Sequence, residues 1–312
     1  MADLLDLAVD GDRPALARLL TMVERGGDDA RTVSSVVHPR CGAATTVGIT
    51  GAPGAGKSTL TSALCRAVRG AGDDVAVLAV DPSSPFTGGA ILGDRIRMGE
   101  HVLDDGVFIR SMATRGHLGG LAVAAPDATR VLDAAGYGWV VVETVGVGQV
   151  EVDVASATDT TVVVVNPGWG DAVQAAKAGL VEIADVFVVN KADRAGAADA
   201  VRDLTAVLSL RGSAAWVPPV VETVATTGQG VDRLLEVLHR HRTHLADTGE
   251  LGRRRARRAE EELRAVVAAR LAERAADMCR GPEWESQRAQ VAAGDLDPWT
   301  AADAILGSVR PD

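Results

Sequence analysis

Residues Gly51-Ala52-Pro53-Gly54-Ala55-Gly56-Lys57-Ser58 stand between an apolar run at 45–50 and a stretch of helical texture that opens at Thr59. A glycine-rich turn ending in Lys-Ser, with a strand before it and a helix after it, is the phosphate-binding P-loop pattern in the context it requires. The glycines let backbone N–H groups turn inward around phosphate oxygens, Ala52, Pro53 and Ala55 lying between them. The helix N-terminus beginning at Thr59 adds its positive end. Lys57 brings a point charge to the β and γ phosphates, and the Ser58 hydroxyl suits Mg²⁺.

Outward from this loop, short β-branched runs at 74–80, 107–110, 138–143, 160–166, 185–190 and 217–222 alternate with helical stretches. They are apolar throughout rather than alternating, the pattern of parallel strands covered by helices on both faces. The expected fold is α/β: a doubly wound, mostly parallel sheet over residues 43–245. Residues 1–42 read as an N-terminal helical extension, with Ala15, Leu16, Leu19, Leu20 and Val23 at helical spacing behind the capping residue Asp12. Residues 246–312 show no strand signal. There Arg253–Arg258 and Glu260–Glu262 read as a solvated helix face, and Leu263, Val266, Val267, Leu271 and Met278 as an apolar stripe for a second copy.

A P-loop site needs acidic partners for its metal, and two acids close predicted strands, Asp81 and Glu143. Glu143-Thr-Val-Gly146 has the form of an acidic switch whose carboxylate addresses the metal and whose Gly146 N–H meets the γ-phosphate. Many GTPases place a glutamine after that glycine to orient the attacking water. Here Val147 follows, with Gln149 two residues on, so slow unassisted hydrolysis is expected. Asp94, in a glycine-rich loop entering a helix, reads equally as a helix cap or as part of a first switch.

Base choice is read from Asn190-Lys191-Ala192-Asp193, placed after the run at 185–189. The Asp193 carboxylate can accept from guanine N1–H and the exocyclic amine together, a donor pair that adenine lacks. Asn190 would bridge loops, and the Lys191 stem would stack along the base. A backbone N–H of Val224-Ala225-Thr226 is the expected donor to the guanine oxygen. The implied ligands are GTP, GDP and Mg²⁺.

Composition narrows the remaining classes. The 312 residues carry 32 Lys plus Arg against 42 Asp plus Glu, a net charge of −10, which argues against nucleic acid as a partner. Lysine occurs only at 57, 177 and 191, and it persists where a compact ammonium on a thin stem is needed. No run approaches the roughly 18–20 apolar residues that cross a bilayer, and no basic, cleavable leader precedes the first helix. Cys41, Cys65 and Cys279 have neither zinc nor redox spacing. A reduced, cytoplasmic protein with no membrane partner is expected. His239, His241 and His244 read as a charged helix end rather than a metal site.

Six segments in order, Asp81-Pro-Ser-Ser, Thr87–Met98, Ser111-Met-Ala-Thr-Arg-Gly116, Glu143–Gln149, Pro167-Gly-Trp-Gly-Asp171 and Asn190–Asp193, resemble the methylmalonyl-CoA mutase-associated GTPases. This is the MeaB family, also labelled ArgK or lysine/arginine/ornithine transport kinase. The resemblance spans about residues 1–300. It implies a metallochaperone-like GTPase, homodimeric through its C-terminal arm, that binds an adenosylcobalamin-dependent acyl-CoA mutase of the methylmalonyl-CoA type. GTP binding and hydrolysis would gate cofactor loading and protect the mutase from inactivation. The resemblance further implies that Asp81, Asp94 and Glu143 surround Mg²⁺. It marks Gly168–Gly179 as a partner-responsive loop with Gln174 and Lys177 as its reaching side chains. Val224 departs from the serine of many members, but a backbone contact does not need that side chain. A kinase acting on a transport component would need an acceptor pocket and a general base, and a nickel-insertion GTPase a His-rich or Cys-His site. No further motif supplies either.

Overall fold

A computed structural model of the chain describes residues 1–82, 99–101, 103–114, 120–144, 157–168, 179, 181–209 and 215–307. Three helices come first, α1 (Ala2–Val9), α2 (Arg13–Arg25) and α3 (Gly27–Val37), followed by β1 (Thr45–Gly51) and α4 (Lys57–Gly70). Then come β2 (Val75–Pro82), β3 (Val107–Thr114), α5 (Gly120–Ala134), β4 (Trp139–Thr144), β5 (Thr160–Val165) and β6 (Val186–Asn190). The chain continues with α6 (Ala197–Ser209), β7 (Val220–Thr223), α7 (Val231–Asp247), α8 (Glu250–Met278), α9 (Pro282–Ala293) and α10 (Pro298–Gly307).

The strands form one parallel sheet in the order β3-β2-β4-β1-β5-β6-β7. Every apolar run expected to be a strand is one. The last begins at Val220 rather than 217 because Pro218 and Pro219 have no N–H to give to a ladder. Side-chain alternation sorts the sheet into two buried faces. Val47, Ile49, Val141, Val162 and Val188 meet Leu60 and Leu64 of α4 and Leu234 and Leu238 of α7. On the other face, Leu78, Val80 and Val142 meet Leu16, Leu19 and Leu20 of α2 and Leu132 of α5, while Val163 and Phe187 meet Leu204 of α6. Asp12 caps α2 as expected, its carboxylate accepting from Ala15 N–H at 2.8 Å.

The chain divides into two compact units, Met1–Ala259 and Glu260–Asp312. The first contains α1–α3, the sheet and the opening turns of α8. Those turns hold the arginine block, and here the structure corrects the expectation of a solvated face. Arg254 pairs with Asp185 just before β6, while Arg255 and Arg258 pair with Asp159 just before β5. Arg255 also donates to the carbonyls of Gly42 and Ala44 in the strap that leads into β1. Burial alone would raise the Asp159 carboxyl, but the two guanidiniums outweigh it and hold the group below the usual carboxylate range. Charge runs look solvated in a sequence because the opposing carboxylates, here 69 to 99 residues away, are invisible to local pattern.

The histidine cluster is likewise not a charged helix end throughout. His241 has no exposed surface, donates or accepts at Nδ1 with Thr160 Oγ1 (2.8 Å), and lies against the Trp216 ring. Desolvation lowers its pKa to about 4, so the ring is neutral near pH 7. His239 meets Trp139 edge to face. No described helix is long and apolar enough to cross a membrane.

Candidate nucleotide site

The P-loop leaves the C-terminal end of β1, where β1 lies between β4 and β5. Crevices outside the carboxyl ends of parallel strands are where such sheets bind ligands. Gly51 has φ 133°, and a Cβ there would collide with the carbonyl oxygen of Val164 on β5. Gly56 has φ 93°, and its Cβ would collide with the side-chain amide of Asn190. Both positions therefore need glycine for left-handed backbone and for close approach.

Lys57 is buried, and its Nζ donates to the carbonyls of Gly51 (2.8 Å) and Ala52 (3.2 Å). The ammonium is thereby held inside the curve of the loop. Ser58 and Glu143 are also buried, and the Ser58 hydroxyl donates to Glu143 Oε1 at 2.6 Å. Two sites 85 residues apart in sequence thus bring a hydroxyl and a carboxylate oxygen together beside the lysine. Hard oxygen donors of this kind suit Mg²⁺.

The guanine motif is joined to the P-loop through Asn190. Its Nδ2 donates to Ala55 O (2.9 Å), and its Oδ1 accepts from Ala225 N–H (3.1 Å) and Thr223 Oγ1 (3.2 Å). Lys191 adopts φ 59°, a left-handed backbone, and sends its Nζ to Gly54 O at 2.7 Å. Asp193 lies exposed on the turn closed by Arg194 N–H to Lys191 O. The Val224–Thr226 loop comes beside it, Val224 N–H donating to Gln229 O and Ala225 N–H to Asn190.

The structure joins Ser58 to Glu143, Asn190 to Ala55 and Ala225, and Lys191 to Gly54. Asp81 lies in β2, with its backbone opposite Ala113 of β3. Asp94, Gly146, Val147, Gln149, Trp169, Gln174 and Lys177 lie outside the described residues. Sequence reading passed over Thr50 and Thr144, two fully buried threonines at the ends of β1 and β4 whose hydroxyls are 3.3 Å apart. The signal present was adjacency: Thr50 directly precedes Gly51, and Thr144 directly follows Glu143.

The chain is 49% identical over 311 residues to a protein of Pyrococcus horikoshii named as a GTPase, covering 98% of both. It is 42% identical over 204 residues to the fused isobutyryl-CoA mutase of Cupriavidus metallidurans, covering 64% of this chain and 19% of that one. The crystal structure of a LAO/AO transport system kinase superposes with a TM-score of 0.70 at 28% identity, covering 98% of this chain and 96% of that one. Residues 16–279 match the family described as methylmalonyl-CoA mutase-associated GTPase MeaB. A P-loop tied through Asn190 to a guanine motif, with Ser58 against Glu143, agrees with that match, and the chain belongs to the MeaB family of GTPases.

Proposed function

We propose that this protein is a GTP-hydrolysing chaperone for an adenosylcobalamin-dependent acyl-CoA mutase, gating cofactor loading and protecting the enzyme from inactivation. The observation that carries the hydrolytic half is the buried Ser58–Glu143 contact beside Lys57. Ser58 and Glu143 would hold Mg²⁺, with Asp81 and Asp94 as further oxygen donors. The bound ion would supply positive charge toward the β and γ phosphate oxygens. Lys57 would exchange its two loop carbonyls for phosphate oxygens and offset the negative charge that moves toward the leaving GDP. Water adds to the γ-phosphorus, the bond to the β–γ bridging oxygen breaks, and GDP, phosphate and a proton leave. Asp193 selects guanine by accepting from the base's N1–H and exocyclic amine, and a Val224–Thr226 amide donates to the guanine oxygen. With Val147 after Gly146, hydrolysis is slow until a partner supplies or orders what positions the water.

The mutase half is supported by the family description and by the fused isobutyryl-CoA mutase, in which a segment like this one occupies part of the chain. Gln174 and Lys177 are the side chains we assign to the partner-responsive loop. A homodimer formed through the arm at 246–312 is supported by the second compact unit. Among its described residues only Ala301 is buried, while Leu263, Val267 and Leu271 recur at four-residue spacing on α8, all largely exposed. An apolar stripe on a unit with so little core of its own suits burial against a second copy.

The deciding experiment is the GTP hydrolysis rate of the purified chain with and without cobalamin-dependent acyl-CoA mutases. Stimulation by one of them is expected. Intact GTP binding with no stimulation by any would exclude the chaperone role. Transfer of the γ-phosphoryl group to a protein or small-molecule acceptor, instead of release as inorganic phosphate, would establish a kinase.

A further inference from the structure

Thr144 closes β4 and Thr50 is the residue before Gly51, and neither has any exposed surface. The ladder between β1 and β4 stops one residue short of them, at Ile49 opposite Glu143. Beyond that point β1 continues paired to β5 alone, with Thr50 opposite Val163 and Gly51 opposite Val164. Glu143 is therefore the terminal pair of its ladder on the P-loop side, where pairing is weakest and strands fray. The seam is nevertheless continued by side chains. Thr144 Oγ1 donates to Thr50 Oγ1 at 3.3 Å. On its other side Thr144 is still in register with β2, opposite Val80, the residue before Asp81. One residue thus touches the ends of all three strands that lead to the P-loop, Glu143 and Asp81.

Packing alone does not call for hydroxyls here. Val140 and Val142 precede Thr144 on the same face of β4, and their cluster contains Leu78 and Val80. Valine has nearly the shape of threonine and leaves no polar atom to satisfy, whereas a buried hydroxyl costs stability unless bonded. Two threonines that satisfy each other at the one point where a ladder ends serve alignment better than they serve the core.

We infer that Thr144, through Thr50, is a positioning residue that holds Glu143 against Ser58. Like a rivet past the end of a seam, the hydroxyl pair keeps β4 beside β1 for one residue beyond their ladder. Small displacements of such a carboxylate are costly because metal and phosphate geometry tolerates little error. This rests on the proposal that Ser58 and Glu143 serve Mg²⁺ and GTP.

The test compares Thr144→Val, Thr144→Ser, Thr50→Val and the Thr50→Val/Thr144→Val pair in the full chain. The readouts are GTP hydrolysis across a Mg²⁺ titration, GDP affinity in chelator, and thermal unfolding. Thr144→Val should raise the Mg²⁺ concentration for half-maximal hydrolysis about two- to tenfold, the net worth of one buried hydrogen bond. GDP affinity in chelator should not change, Thr144→Ser should restore the wild-type requirement, and adding Thr50→Val should cause no further loss. If Thr144→Val does not fold, Thr50→Val removes the acceptor from the other strand and is held to the same outcome. An unchanged Mg²⁺ requirement, or a serine variant behaving like valine, would overturn the inference while leaving the GTPase assignment intact. Wild-type hydrolysis that is independent of Mg²⁺ would overturn both.

Discussion

Arg254 sets both terminal nitrogens of its guanidinium on the Asp185 carboxylate, at 2.9 Å to each oxygen, and one of them also reaches Asp159 O at 3.0 Å. The fork belongs to α8, beyond the point where strand signal ends, yet it grips the residues that feed β5 and β6. Such bidentate pairs fix geometry as well as contributing energy. With Arg255 and Arg258 on Asp159, they make the first turns of α8 part of the nucleotide domain.

A chain ending at residue 245 should therefore be less stable than one ending at 259, which keeps all three arginines. Arg254→Met in the full chain should lower stability by about 1–3 kcal/mol, since it leaves a mostly buried Asp185 carboxylate short of a partner. Urea unfolding checks both. Equal midpoints for the two truncated chains would show that α8 adds nothing to the domain.

His241 ties stability to pH. In the unfolded chain the imidazole takes up a proton near 6.5, but in the fold desolvation keeps it neutral down to about 4. Between those values protons favour the unfolded chain, so stability falls as pH drops from about 6.5 toward 4. The loss from this residue amounts to up to about 3 kcal/mol. His241→Phe should flatten the unfolding free energy across that window. The Asp159 contribution is lost only at lower pH, as its depressed carboxyl becomes protonated.

Lys57→Ala and Ser58→Ala should fail differently. Losing the ammonium should reduce hydrolysis by roughly 10²- to 10³-fold and weaken nucleotide binding with or without Mg²⁺. Losing the hydroxyl should abolish most of the Mg²⁺-dependent affinity and leave binding in chelator nearly unchanged. Titration of a fluorescent GDP analogue in Mg²⁺ and in chelator separates the two.

Asp193→Asn reverses the donor pattern at the base edge. An amide can donate to the carbonyl that xanthine carries where guanine has its amine. GDP affinity should drop by roughly two orders of magnitude, with a gain for xanthosine diphosphate. Competition binding with the two nucleotides measures it; an unchanged preference would remove Asp193 from base recognition.

Lys177→Ala should leave nucleotide affinity close to wild type while weakening mutase-stimulated hydrolysis. An unchanged stimulated rate would make Lys177 an ordinary surface residue. Two of the chain's three lysines, Lys57 and Lys191, are in contact with P-loop carbonyls.

Much of the site was legible because its parts are local. The turn Gly51–Ser58 carries its own geometry, since glycines at positive φ and a lysine at the helix start are short-range requirements. The seven strands were legible because burial on both faces makes a run apolar whatever its neighbours are. The sequence by itself therefore determined a P-loop, a guanine motif and a parallel sheet. Tertiary structure alone decided which distant residues meet: Ser58 with Glu143, Thr50 with Thr144, Asn190 with Ala55, and the arginines of α8 with Asp159 and Asp185. Those pairings depend on strand order and register. A charge run reads the same whether it faces water or a carboxylate a hundred residues away, and a threonine reads the same whether its hydroxyl closes a seam or only fills space.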